Sequence, residues 1–324
     1  MTSAGPIDPP SRSTATEPAI EAAPAIEAVP GGGLHSRTRQ VGTLVAFGIG
    51  VLLLWEAVKW LGGVPWRFKD VLGTGLAIDY SPPFRFPFAT DLNLPHWFSV
   101  LGALAAPVQR NAQQSLGEYL VGAALYTWRE AALGFAVGAL LGLVLATLFV
   151  HSRLLERAFV PYVIASQTIP IVALAPMIVY AFGPNVTSVV VIATYLTFFP
   201  VTIAMIRGLR APDPRALELM RSYAAGRWAI YRKVRLPASL PYLFTALKIA
   251  ATASIVGAII GEGPGGIPDG LGRAIINFNQ QYISGPEKLW AAILVSSLLG
   301  VSFFVLIRAA ELVVLRGRPG AAEG

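Results

Sequence analysis

The chain has 324 residues, of which 54% are hydrophobic and only 13% are charged. This balance excludes an ordinary soluble globular protein and favours an integral membrane protein. The formal net charge of +7 does not indicate nucleic-acid binding, because the basic residues fall between long apolar stretches. The chain has no cysteine, which excludes a disulfide framework, a thiolate metal site and a cysteine nucleophile.

The first 34 residues are rich in Ala, Pro, Glu, Ser and Thr and lack an apolar run long enough to pack, which predicts a disordered tail at 1–34. They do not resemble a signal peptide, because a long polar stretch precedes the first apolar run and no small-residue cleavage site follows it. We therefore expect that run to remain as the first spanning helix. A short tail at 319–324 leaves 35–318 as the membrane domain.

Long uncharged runs predict an all-α integral membrane fold, since about 20 apolar residues cross a hydrocarbon core of about 30 Å. No Asp, Glu, Lys or Arg lies between Ala158 and Ile206, and Gly183-Pro184-Asn185 divides this run into two helices. Buried helices of a soluble protein would be amphipathic, whereas these stretches are apolar on every face. Six spanning helices are predicted, at about 41–61, 130–150, 158–182, 186–206, 239–260 and 289–307.

The distribution of Lys and Arg predicts the orientation, because short loops rich in these residues stay in the cytoplasm. With the 207–235 loop inside, alternation places every basic cluster on the same side and gives an N-in, C-in topology. The clusters are Arg37, Arg39, Arg153, Arg157, Arg308, Arg316 and Arg318. The longest outer segment, 62–115, is rich in proline and aromatic residues, so we expect it to lie on the membrane interface.

The loop between the fourth and fifth spans holds an unusual share of the charge. Eight of the chain's 25 basic residues lie from Arg207 to Arg235, against two acids, Asp213 and Glu218. Residues favourable to helix from about 214 to 234, followed by Leu236-Pro237, predict one short cytoplasmic helix with an apolar stripe. Composition alone leaves three interpretations open: a solvated basic loop, an interfacial helix on anionic lipid, and a docking helix for a cytoplasmic partner.

Catalysis by this chain is not expected. No span carries a paired acid and base, a histidine cluster or a metal-ligand spacing. The chain also lacks the G-x-x-x-x-G-K-[ST] phosphate loop, so transport powered by a nucleotide would need another subunit.

Residues 218–237 resemble the EAA loop of permease subunits in binding-protein-dependent ABC importers. That pattern begins E-A-A, has glycine at its seventh position and ends in I-x-L-P. Glu218 takes the first position and Leu236-Pro237 the last two, whereas Leu219 and Met220 replace the alanines and Ala224 replaces the glycine. The R-W-x-x-x-R-K-V-x-L-P run at 227–237 further resembles the nitrate, sulfonate and taurine branch, and the resemblance covers roughly 118–313.

The resemblance implies a bacterial inner-membrane permease that docks a separate ATPase through this loop, with ATP and Mg bound by the ATPase. It also implies an extracytoplasmic substrate-binding protein, a second permease copy in a homodimer, and contact with membrane lipid. Trp228 and Tyr231 would be the buried anchor, while the basic residues would pair with acidic rims of the ATPase. The expected ATPase-coupling residues are Glu218, Ala224, Arg227, Trp228, Tyr231, Arg232 and Pro237.

The spans themselves suggest packing and pore residues. Gly134, Gly138 and Gly142, at steps of four, predict close helix packing. Prolines flank Ser166-Gln167-Thr168, which predicts a bent helix facing a cavity. Glu262 is a candidate for the outer gate, although an ordinary interfacial acid is the alternative. The candidates for the translocation path are Gln167, Thr168, Thr194, Tyr195, Thr197 and Ser254, each of which could instead bond to its own preceding turn or to a neighbouring helix.

Two other classes of membrane protein remain as alternatives. An ion-coupled carrier or channel usually places ionisable groups at mid-membrane, and Lys248 is the one candidate, which we expect to snorkel towards the inner interface. A membrane anchor for a cytoplasmic enzyme would not need helices so rich in proline. The solute stays open: the resemblance implies nitrate, sulfonates, taurine, pyrimidines or flavin-like vitamin precursors, and the few ionisable pore residues favour a neutral or aromatic one.

Overall fold

The structure is a computed structural model that describes residues 34–68, 78–109, 112–263 and 267–316. Apart from residue 34, the predicted tails at 1–34 and 319–324 lie outside these ranges. The chain divides into two units, 1–53 and 54–324. In the first unit the structure describes the beginning of helix α1, Leu34–Gly62, and the rest of α1 belongs to the second unit.

The second unit is predominantly helical. Between α1 and the long helices, two short strands pair antiparallel, with Trp66 opposite Tyr80. A π-helical turn, Tyr231–Arg235, joins α8 to α9, so residues 227–262 form one continuous helix. The elements after α1 are β1 (Trp66–Phe68), β2 (Ile78–Tyr80), α2 (Trp97–Ala105), α3 (Leu116–His151), α4 (Arg153–Ser166), α5 (Ile171–Phe182), α6 (Val186–Arg210), α7 (Pro214–Ser222), α8 (Arg227–Ile230), α9 (Leu236–Glu262), α10 (Leu271–Gln280) and α11 (Pro286–Val314).

Five of the described helices are long and apolar enough to cross a membrane, and the number is six if α4 and α5 form one span. The predicted helical membrane fold is therefore confirmed. The predicted third span, 158–182, is not one helix, because α4 and α5 meet at an angle of 101°. The bend falls just before Pro170, as expected for a residue that disfavours helix at the position before it.

Helix α6 packs against α3 through glycines. A Cβ atom added at Gly134 would lie 2.4 Å from Cβ of Ala193, and one at Gly138 would lie 2.6 Å from Cβ of Thr197. A Cβ atom added at Gly142 would lie 2.7 Å from the backbone carbonyl oxygen of Phe198. From one contact to the next, the residue numbers rise in both helices. Helices α3 and α6 therefore run in the same direction.

Helix α9 packs on another side of α6 by a similar device. A Cβ atom at Gly257 would lie 2.9 Å from Cα of Ala193, whereas Gly208 of α6 faces Ser239 near the beginning of α9. The residue numbers rise along one helix as they fall along the other, so α6 and α9 are antiparallel. Apolar side chains from α3, α6 and α9 form a shared core with Phe303 of α11.

The helix directions bring arginines of several helices to one end of the second unit. Arg153, Arg210 and Arg235 line the same cavity there, and Arg210 pairs with Glu156. We call this the basic end. Lys248 does not snorkel alone towards it, because its ammonium group forms an ion pair of 2.8 Å with Glu311 of α11. Arg318 lies outside the described residues.

The outer segment is folded where it is described, since it holds β1, β2 and α2, and its place on the membrane interface stays a prediction. Trp55 donates a hydrogen bond of 2.9 Å to the carbonyl of Pro95, and a ring nitrogen of His96 lies 2.9 Å from the Glu56 carboxylate. Lys288, at the beginning of α11, donates to the carbonyl of Val108 at 2.8 Å. These bonds tie the segment to the ends of α1 and α11 away from the basic end.

The glycine contact between α3 and α6 can be tested by substitution. We expect Gly138→Ala to lower the thermal-unfolding midpoint of the purified chain in detergent, because overpacking a tight contact costs about 1–3 kcal/mol. Gly122→Ala in the same helix is the control, since nothing lies within 4 Å of its added Cβ. Equal midpoints for both variants would contradict the packing argument.

Candidate functional site

Helix α7 begins and ends with specific backbone caps. The Asp213 carboxylate accepts a hydrogen bond of 2.8 Å from the amide of Arg215, and Pro214 occupies the first turn. At the other end, the amide of Ala224 donates to the carbonyl of Arg221 and the amide of Ala225 donates to that of Met220, at 2.8 and 3.0 Å. This pair of bonds is a Schellman motif, which fixes where the helix stops.

Ala224 adopts the left-handed conformation that the motif requires, with φ of 52°. A residue with a Cβ atom pays about 1–2 kcal/mol for that conformation, whereas glycine does not. The EAA pattern has glycine at this position. Ala224 therefore stands where the pattern has glycine, and the turn still has the left-handed conformation that glycine favours.

The single helix predicted over 214–234 is wrong. The chain turns at residues 223–226 and then starts the long helix of α8 and α9, which continues through Leu236-Pro237. Proline lacks an amide hydrogen and its ring collides with a carbonyl of the preceding turn. The wider π-helical turn before Pro237, in which the Leu236 amide bonds to the Tyr231 carbonyl, accommodates this ring.

The expectation that a partner ATPase buries Tyr231 as an anchor does not fit the structure, because the chain itself already buries this side chain. Its side chain is buried within the chain, its hydroxyl lies 2.9 Å from that of Thr147, and its ring stacks on Trp228 at 5.2 Å. The exposed apolar side chains of the loop are instead Leu219, Tyr223 and Trp228, which are 57%, 77% and 62% exposed.

Sequence reasoning missed Leu219 and Tyr223. They stand four residues apart, a spacing that places two side chains on the same face of a helix. The half-buried Leu217 and Met220 occupy the other face of α7. Glu218, Arg227 and Arg232 are exposed near the same part of the chain, as expected.

The bend between α4 and α5 exposes two of the translocation candidates. Gln167 and Thr168 lie in the bend and are exposed. Tyr195 of α6 donates its hydroxyl to the carbonyl of Ser166, the last residue of α4. These three residues are the candidates that the structure brings together.

The other translocation candidates serve helix packing. Thr197 and Ser254 are fully buried, and their hydroxyls donate to Ala193 and Ala251 of the preceding turn, each at 2.8 Å. Thr194 donates across to the carbonyl of Gly134 at 3.2 Å. In this conformation Thr197 and Ser254 cannot line an open path, because the faces that carry them are covered by neighbouring helices.

Glu262 is buried and does not face an outer opening in this conformation. Its carboxylate accepts a hydrogen bond of 2.6 Å from the amide of Gly272, and the hydroxyl of Thr127 accepts one of 2.8 Å from the amide of Leu271. Both amides belong to the first turn of α10, whose unpaired donors need partners. Glu262 and Thr127 therefore fasten α10 to α9 and α3, with the buried Glu130 beside them.

The backbone around Glu262 must lack side chains. Gly270 has φ of 100°, and a Cβ atom there would lie 2.3 Å from the carboxyl carbon of Glu262. A Cβ atom at Gly272 would lie 2.2 Å from the carbonyl oxygen of Ile259. The sequence singled out Glu262 in this segment, but it gave no signal that Thr127 completes the cap. Among the described residues, no group of three or more His, Asp or Glu side chains could hold a metal ion.

Comparison with known proteins gives a consistent set of matches. A family model described as "Binding-protein-dependent transport system inner membrane component" matches residues 138–312. The formylaminopyrimidine transport permease protein ThiX of Halalkalibacterium halodurans is 35% identical over 57% of this chain and 73% of its own length.

Further relatives carry other solute names. The riboflavin transport system permease protein RibX of Chloroflexus aurantiacus is 34% identical over 51% of this chain and 61% of its own length. The putative aliphatic sulfonates transport permease protein SsuC of Bacillus subtilis is 29% identical over 58% and 67%. A crystal structure of an amino acid ABC transporter with histidines matches 60% of this chain and 93% of its own with a TM-score of 0.50 at 20% identity, a likeness of fold alone.

The left-handed turn after α7 gives a test of the loop geometry. We expect Ala224→Gly to slow amide hydrogen exchange in the peptide 214–226 roughly fivefold, because it removes a left-handed strain worth about 1 kcal/mol net of the extra freedom of unfolded glycine. Ala225→Gly is the control, since Ala225 does not have positive φ. Faster exchange in Ala224→Gly than in wild type would contradict the assigned turn.

Proposed function

Since this chain belongs to the family of binding-protein-dependent transport system inner membrane components, and so is a multi-pass permease subunit of an ABC importer, we propose that residues 213–237 couple it to a separate ATPase. The family sets aside an ion-coupled carrier or channel that works without an ATPase. The permease subunit is not itself catalytic. ATP and Mg are bound by the ATPase in this proposal.

The observation that carries the proposal is the exposed apolar set on the loop. Leu219, Tyr223 and Trp228 lie at an end of the second unit that is otherwise rich in arginine. Exposed Trp and Tyr flanked by charge are typical of residues that a partner protein buries. Arg227 and Arg232 are exposed beside them and attract an acidic rim, which sets orientation and association rate more than affinity.

The loop is built to pass a displacement to the membrane helices. It follows α6 directly and leads without interruption into the helix of residues 227–262. These helices pack against each other through Gly208, Gly257 and Gly261, where there is no room for independent sliding. An ATPase that moves α7 therefore moves the ends of α6 and α9 together.

The path for the solute is proposed to lie between two copies of the chain. The bend that carries Gln167 and Thr168 is followed by exposed apolar residues of α5, among them Val172, Met177 and Tyr180. A second copy covering this face in a homodimer would leave the bend between the two subunits. An extracytoplasmic substrate-binding protein would meet the opposite end, at α10 and the folded segment of residues 78–109.

We expect loop substitutions to separate the ATPase from the permease. Trp228→Ala, and Leu219→Ala as a second variant, remove apolar contact, and Arg232→Glu replaces attraction to the acidic rim by repulsion, so each should weaken co-purification of the ATPase by roughly tenfold or more. Trp97→Ala is the control, because Trp97 is also an exposed tryptophan and lies far from the loop, at the opposite end. Co-purification and uptake at wild-type levels in all three variants would contradict the coupling role.

The solute is proposed to be a neutral or aromatic heterocycle. The relatives at 34–35% identity are named for formylaminopyrimidine and riboflavin, and the bend offers the uncharged Gln167, Thr168 and Tyr195. Hydrogen bonds and ring contacts suit such a solute, whereas an anion would need a cation.

ATP hydrolysis by the complex of permease, ATPase and binding protein in vesicles tests this choice. A formylaminopyrimidine or riboflavin should stimulate it at roughly tenfold lower concentration than an aliphatic sulfonate or nitrate. Gln167→Leu should reduce solute uptake, and Ser254→Ala, which changes a buried hydroxyl, should not. Stimulation by sulfonate or nitrate alone would refute the heterocycle.

A further inference from the structure

Two adjoining cavities open at the basic end, with volumes of about 770 and 540 Å³. Both are lined by Val150, Arg153 and Arg235. The cavities lie among the end of α3, the beginning of α4, the end of α6 and the segment from α7 to the π-helical turn. Their arginines, which we call the arginine cluster, are Arg153, Arg157, Arg210, Arg221, Arg227 and Arg235.

The arginine cluster carries a large excess of positive charge. Glu156 is the acid that lines these cavities, and its carboxylate bonds to Arg210. No ion pair or side-chain hydrogen bond joins the other five arginines to any residue that the structure describes. Like charges gathered around one space raise the local potential and draw in an anion.

The size and donor chemistry of the cavities suit a phosphate group. Arginine presents a planar fork of donors that binds phosphate oxygens in pairs, and six arginines line the two cavities. An acidic side chain of a partner protein would be a weaker match for two adjoining cavities that share Arg153 and Arg235. A phosphate diester or monoester satisfies more of the donors.

The surface of α4 next to the cluster indicates where that phosphate comes from. Arg153, Arg157, Pro161 and Ile164 stand on nearly one face of the helix, at steps of four, four and three. This face starts with two cations and continues with apolar side chains, and Ile164 is exposed. A free phosphate ion would contact only the two cations. A phospholipid would contact the cations with its headgroup and the apolar side chains with its acyl chains.

We propose that the arginine cluster binds the headgroup phosphate of an anionic phospholipid, with the acyl chains lying along α4 towards Ile164. Basic pockets beside spanning helices on the cytoplasmic side are suited to anionic headgroups. The lipid bridges α4 to Arg221 and Arg227 of the loop segment, so it fixes that segment against the membrane domain. Arg227 is shared with the proposed ATPase contact, whereas Arg153 and Arg157, which the test below changes, have no part in that contact.

Lipid titration of the purified full chain, followed by native mass spectrometry, tests the site. Phosphatidylglycerol should bind in preference to phosphatidylcholine, and an excess of inorganic phosphate should not displace it. Arg153→Gln with Arg157→Gln should weaken phosphatidylglycerol binding roughly 10- to 30-fold, from the loss of two interfacial cations. Arg308→Gln with Arg316→Gln is the control, because both residues are exposed on or just after α11 and outside the cavities.

A photoactivatable phosphatidylglycerol on the wild-type chain gives a second readout that does not rely on any variant. It should label peptides from residues 150–164 and 221–235. Labelling confined to other peptides, equal binding of phosphatidylcholine, or equal weakening by both double variants would overturn the proposal. Displacement by inorganic phosphate would also overturn it and assign the cluster to a soluble anion. ATPase co-purification is measured separately, so failure of the coupling role is distinguishable.

Discussion

The close approach of α6 to α3 and α9 is the constraint on which the rest of the structure depends. Glycines at Gly138 and Gly142 on one side, and Gly257 and Gly261 on the other, let backbones meet where no side chain fits. In a bilayer, lipid chains are as apolar as leucine, so helices associate through such packing and not through a hydrophobic difference. The contacts fix the direction and register of all three helices together.

This packing decides where the functional segments lie. Because α3 and α6 run in the same direction, α4 and α5 must carry the chain back from the basic end, and they do so with a bend of 101° at Gln167 and Thr168. Because α6 and α9 are antiparallel and joined through α7, the loop stands at the end of a closely packed helix pair. The loop and the bend therefore belong to one packed body, which the proposed coupling role requires.

The sequence predicted features whose causes are local. Residues favourable to helix from about 214 predicted a helix there, and α7 begins at Pro214, because a proline in the first turn acts within that turn alone. The sequence could not predict that α7 stops at Ser222, since residues favourable to helix continue to 234. The stop depends on Ala224 taking a left-handed conformation, which its residue type disfavours. The same turn exposes Tyr223, whereas contacts with α3 bury Tyr231.

The sequence by itself determined the membrane class and the basic loop, because bilayer thickness and charge placement act on stretches of chain and not on contacts. Only the tertiary structure decided which polar residues are free. Thr197 and Gln167 look alike as polar residues in apolar helices, yet one is covered by α3 and the other stands exposed in a bend. Glu262 likewise became a cap for α10 through a contact ten residues along the chain. Which face of a helix is covered depends on the helices that pack against it. The hydropathy of the sequence does not indicate which helices these are.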